Sequence, residues 1–266
     1  DHLFTLNFHG RRANQEILTR SGSGYVASHT EDFFLTKDPW FRGMELGSGP
    51  DGAVFVLDWS DTGECHEHTG VHRTSGRIFK VRNTDQTQTT PPQTDLTTWP
   101  LERLAKVHGG RNDWYTRQAR LELARRSTTT EMMPAITTLK QLLESSDSSP
   151  STKVQALLTL HVIGGTNATL LNTLAQHPHE SLRSWSIRLQ TDQWPLDDAL
   201  GPAPMTANRK ARITEQAMQR LPLLVSMAKT DTSALVRLTL ASTLQRLPTE
   251  LRPKLARALV LHREDT

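Results

Sequence analysis

The chain is poor in cysteine. Cys65 is the only one among 266 residues, so no internal disulfide can form, and neither a CxxC pair nor a CxxCH haem-attachment motif exists. No apolar run approaches the roughly 18 residues of a membrane span. The chain begins at Asp1 with DHLFTLNF, which reads as a strand, and no basic segment followed by an apolar one marks a signal peptide. Both ends read as cuts, which predicts a piece of a longer protein. Acidic residues nearly balance the basic ones, giving a net charge of +3, with 23 arginines against 8 lysines. The basic residues are dispersed among acidic ones, as on a solvated mixed surface, so a nucleic-acid partner is not expected.

What is present divides in two. Residues 1–83 carry short runs rich in β-branched and aromatic residues, LFTLNF, EILTR, YVASH, AVFVLDW and GRIFKVR, bounded by turn formers. SGPDG (Ser48 to Gly52) reads as a turn joining a strand around Arg42–Leu46 to one over Ala53–Asp58. Leu3–Phe8 aligns with Val54–Trp59 at an offset of 51 residues, a spacing that predicts propeller blades. Residues 84–98, TDQTQTTPPQTDLTT, hold seven threonines and two adjacent prolines and read as an extended linker.

From 99 to 266 the apolar residues recur at helical spacing, as in Leu235, Val236, Leu238, Leu240, Ala241, Leu244 and Leu247. Ser149–Pro150 reads as a helix cap followed by its first residue, and Gly164–Gly165 as that helix's end. Tyr115-Thr116-Arg117, Lys153-Val154-Gln155, Ser181-Leu182-Arg183 and Leu235-Val236-Arg237 each open an apolar helix after a polar turn, which predicts irregular HEAT-like repeats. Arg117, Arg183 and Arg237 recur at one structural position and are expected to pair with neighbouring repeats and not to bind a ligand. The expected fold is α+β in two domains: antiparallel β-propeller blades (the C-terminal part of a propeller, 1–83), a Thr/Pro-rich linker (84–98) and an all-α HEAT-like solenoid (99–266). An open propeller piece would expose strand edges and self-associate.

LNFHGRRANQEIL, the stretch from GSGYVASH to GRIFKVRN, and VRLTLASTLQRLP resemble the large proteins of planctomycetes and verrucomicrobia described as membrane-bound dehydrogenases. That resemblance implies a propeller similar to glucose and sorbosone dehydrogenases, then HEAT repeats, and often a c-type cytochrome domain as partner. It further implies an extracytoplasmic, periplasmic or membrane-associated protein that oxidises a sugar or alcohol with a quinone (PQQ-like) or haem acceptor, this chain alone being inactive. The alternative is a non-catalytic scaffold that binds carbohydrate or protein. A fold does not fix a function.

The candidate chemistry lies in loops. Asp58–Arg73, DWSDTGECHEHTGVHR, sits between two expected strands. Cys65, His66, His68 and His72 offer thiolate and imidazole ligands for zinc or another transition metal, though their spacing is no recognised zinc signature. The competing reading is a polar loop held by its own hydrogen bonds. His9, Arg11 and Arg12 follow the first copy of the repeat, as Asp58 within the second copy and Asp61 just after it attend the second. By the resemblance, these would supply a histidine base and an arginine fork for an anionic quinone; the competing reading is a surface feature or a clasp on backbone carbonyls. Trp40 and Trp59, flanking the expected sheet, are expected to pack in the core between blades, and stacking on sugars is the other use of such rings.

Overall fold

The computed structural model describes residues 2–61, 74–82, 94–197 and 201–265. Among these, the strands are β1 (His2–Asn7), β2 (Arg12–Ser21), β3 (Gly24–His29), β4 (Phe34–Leu35), β5 (Gly43–Ser48), β6 (Val54–Asp58) and β7 (Arg77–Val81). The helices are α1 (Leu101–Lys106), α2 (Asp113–Arg126), α3 (Met133–Glu144), α4 (Pro150–Val162), α5 (Ala168–Leu174), α6 (Glu180–Thr191), α7 (Ala207–Thr230), α8 (Ala234–Thr243) and α9 (Arg252–Leu259). No helix among the described residues is long and apolar enough to cross a membrane.

The strands make two small antiparallel sheets. One runs β1-β2-β3 with β4 paired to β2, and the other runs β5-β6-β7. Among the described residues neither closes and no propeller forms, which corrects the expected fold. The offset repeat was misleading because its two copies occupy different places. The first copy is β1, an end strand of its sheet, and the second is β6, the central strand of the other. The expected HEAT-like solenoid is not supported either. The helices run from 6 to 24 residues, and α7 carries Pro222 in its interior, so no common repeat unit emerges.

Contacts divide the chain into two compact units, Asp1–Arg20 with Tyr25–Thr130, and Ser21–Gly24 with Glu131–Thr266. The first holds most of both sheets together with α1 and α2. Its two sheets meet around Phe41, which is 2% exposed, with its ring 5.8 Å from Phe34 and 6.3 Å from Phe79. Gly43 lets them approach, because a Cβ there would lie 2.9 Å from the Leu6 side chain. The turn at Ser48–Gly52 forms as the sequence indicates. Gly52 takes φ 78°, Gly49 N–H donates to the Ala53 carbonyl at 2.8 Å, and β5 pairs with β6 in register Ser48↔Val54. Of the linker, 84–93 lies outside the described residues. Leu96–Thr98 is a 3-10 turn that Arg126 grips through the carbonyls of Thr97 and Trp99, both at 2.8 Å.

In the second unit, α7, α8 and α9 surround a core that includes Ile213, Leu224, Leu240 and Leu255. Several helix starts are capped by a side chain. Ser149 accepts from Thr152 N–H at 3.1 Å with Pro150 next in line, and Gly164 at φ 75° ends α4. Arg183 of α6 forks onto both oxygens of Asp231 at 2.7 and 2.8 Å, and Arg237 of α8 reaches Asp265 in the same way. These arginines are clasps between helices.

Candidate functional site

Three loops of the first unit converge at the end of β6. Asp58 is 4% exposed, and its carboxylate is fully engaged. One oxygen accepts the backbone N–H groups of Arg42 at 2.7 Å and Ser60 at 2.9 Å. The other accepts Arg77 Nε at 2.8 Å and lies 2.6 Å from a terminal nitrogen of the same guanidinium. The second terminal nitrogen of Arg77 is 2.6 Å from Asp38, whose other oxygen caps the Trp40 amide at 2.9 Å. That amide, with Arg77 and then the charge of Arg11, holds the Asp38 carboxyl below its ordinary range. Asp61 is 5% exposed, accepts the Trp59 indole N–H at 3.3 Å and donates its own N–H to the Trp40 carbonyl at 2.9 Å. Ser60, between the two aspartates, sits at φ 51°, a left-handed conformation rare for serine, and Ser75 fastens its carbonyl at 3.0 Å.

The residues expected to act chemically thus have different situations. His9 lies exposed on the turn after β1, its ring 5.2 Å from that of Phe8. Arg11 adopts φ 55° and faces Asp38 electrostatically, while Arg12 pairs with Asp32 at 3.3 Å. The two guanidiniums lie near different carboxylates and do not share one. Asp58 and Asp61 act as joints between loops. Cys65, His66, His68 and His72 lie outside the described residues. Among the described residues, no group of three or more His, Cys, Asp or Glu side chains is placed to hold a metal. Trp59 is 54% exposed, so it is not the core ring expected of it.

A second feature of the same unit went unnoticed in the sequence. An open groove of about 1410 Å³ runs between the β5–β6 hairpin and the first half of α2. Asn112 builds it: its side chain caps α2 by accepting the Trp114 N–H at 3.0 Å, and donates to the Pro50 carbonyl at 3.0 Å, tying the hairpin turn to the helix. Arg117 adds a bond to the Ser48 hydroxyl at 2.5 Å. Rings of Phe4, Phe33, Trp114 and Tyr115 line the groove beside Glu45, Asp51, Asp113 and Arg111. Phe4 and Phe33 remain 42% and 39% exposed. Asp51 is held below its ordinary range first by the Lys80 ammonium, which reaches it across the sheet. The signal was local for Asn112, which precedes Asp-Trp-Tyr as a helix cap would. It was absent for Phe4 and Phe33, whose arrival depends on how the sheets pack.

Residues 1–85 match the family described as Domain of unknown function (DUF7133). No curated protein matches the chain. No solved structure matches it.

Proposed function

We propose that this chain is a non-catalytic binding module and that the groove beside α2 holds a carbohydrate. The observation that carries this reading is the mixed lining of the groove. Partly exposed rings suit the C–H faces of a sugar ring, while carboxylates and a guanidinium within the same groove suit its hydroxyls. The state of Asp58 supports the non-catalytic half, because both of its oxygens already hold protein donors, two backbone amides and an arginine, and the residue is 4% exposed. The test is isothermal titration of the chain with a panel of neutral oligosaccharides, namely β-glucan, xylan and mannan hexamers. At least one should bind saturably, and Trp114→Ala should weaken it about tenfold, the size of one lost ring contact. Binding that ignores Trp114→Ala, or no binding across the panel, overturns the groove assignment.

A second reading keeps the same class of ligand. The turn carrying His9 and Arg11 approaches the Asp38–Arg77–Asp58 network, as a site that oxidises a sugar or alcohol would need. Its acceptor, a quinone or the haem of a c-type cytochrome partner, would come from outside the described residues. Dye reduction dependent on both a sugar and His9 is the outcome that would favour this reading. For either version, an extracytoplasmic location is supported only by the family resemblance.

A further inference from the structure

We propose a second docking site, for an acidic amphipathic helix of a partner protein, in the groove between α7 and α9. This groove, of about 590 Å³, has an apolar floor formed by Met218, Pro222 and Val225 of α7 with Leu251, Ala258 and Leu261 from the region of α9. Met218 and Leu261 are 59% and 69% exposed, more than packing within the unit explains. The rim is basic: Lys229 stands on one side, and Lys254 and Arg257 stand on the other. No acidic residue lines the groove, and none of these three cations has an ion-pair partner among the described residues. Some arginines of this unit close on carboxylates, as Arg183 does on Asp231 and Arg252 on Asp197. The three rim cations instead surround the apolar floor.

The occupant that fits this lining is apolar along one stripe, negative on its flanks and narrow enough to lie between two helices, which describes an amphipathic helix with acidic borders. A bilayer would meet these apolar residues only if they stood on a convex or flat surface, whereas here they line a hollow.

The test uses the full chain and a labelled peptide of about 18 residues, five helical turns, with leucines at i, i+3, i+4 and i+7 and glutamates on both flanks. Fluorescence anisotropy should show saturable binding. It should be about tenfold weaker for a scrambled peptide, for one with lysine in place of glutamate, and for the chain carrying Lys254→Glu and Arg257→Glu. Those two positions are exposed, and unchanged circular dichroism would show the variant is folded. Equal binding of the scrambled peptide, no saturable binding, or indifference to the charge reversal overturns the proposal. So does co-sedimentation with vesicles containing phosphatidylglycerol when the acidic peptide does not bind.

Discussion

Arg77 and Asp58 face each other across the end of the β6–β7 pair, joined by N···O contacts of 2.8 and 2.6 Å, with the Asp58 carboxylate wholly buried and the arginine 37% exposed. That relationship makes the aspartate a structural joint. Removing the arginine leaves a buried carboxylate with only its two backbone donors. Arg77→Ala should destabilise the first unit by about 2–4 kcal/mol, the lower part of the range for a broken buried pair because Arg77 is partly solvated. Urea unfolding measures this, and an unchanged midpoint would show that the pair does not hold the loops.

His108 gives the first unit an acid sensitivity. It is buried beneath α2, its Nδ1–H donating to the Ala105 carbonyl at 3.0 Å, and burial pushes its pKa down from 6.5 to about 4. The unfolded chain therefore takes up this proton at a higher pH than the folded one. Stability is full above pH 6.5 and falls as pH drops toward 4, by about 3 kcal/mol at most. His108→Gln should flatten thermal stability across that window, and a slope unchanged by the substitution would remove His108 as its source.

Glu122 acts lower on the scale. Arg125 and Arg126 both grip it, at 2.7–2.8 Å and 2.6 Å, and the Arg125 hydrogen bonds, ahead of those of Arg126, hold its pKa near 2 against the burial that opposes them. The clamp contributes fully above pH 4.5 and is lost as pH falls toward 2. Through Arg126 it also fixes the 3-10 turn before α1. Glu122→Gln should cost about 2–3 kcal/mol at neutral pH and speed hydrogen exchange at Trp99, whose N–H closes that turn at 3.1 Å. Exchange at Trp99 indifferent to the change would separate the turn from the clamp.

The sheets leave apolar side chains in solvent. Ile78 on β7, the end strand of its sheet, is 72% exposed, and Leu35 on β4 is 67% exposed. Such an edge invites pairing with another copy. Sizing chromatography at rising concentration should show self-association, and Ile78→Lys should reduce it. A monomer at every concentration would contradict this.

Legibility in the sequence followed the range of the interaction. The Ser48–Gly52 hairpin and the Ser149–Pro150 cap were readable because turn and cap chemistry acts within a few residues. The clasps by Arg183 and Arg237 were readable as a class, though not their partners, which lie 48 and 28 residues away. The propeller expectation failed because similar strand sequences can occupy an edge or a centre, and pairing order is not written in a six-residue match. Asp58 stood in the sequence as a candidate for chemistry, whereas its contacts with Arg77 and the amide of Arg42 are made only by the folded loops. The groove was invisible for the same reason: Phe4, Phe33 and Trp114 meet only in three dimensions.

The most direct measurement is a map of backbone and indole N–H chemical-shift changes as a bound oligosaccharide is titrated into the labelled chain. Shifts should gather at the Trp114 indole, at Asn112 and along Glu45–Gly52, with the amides of Arg42 and Ser60 at Asp58 unmoved. Shifts centred on Arg42, Ser60 and Asp61 instead would put the sugar at the aspartate network and contradict the binding-groove reading.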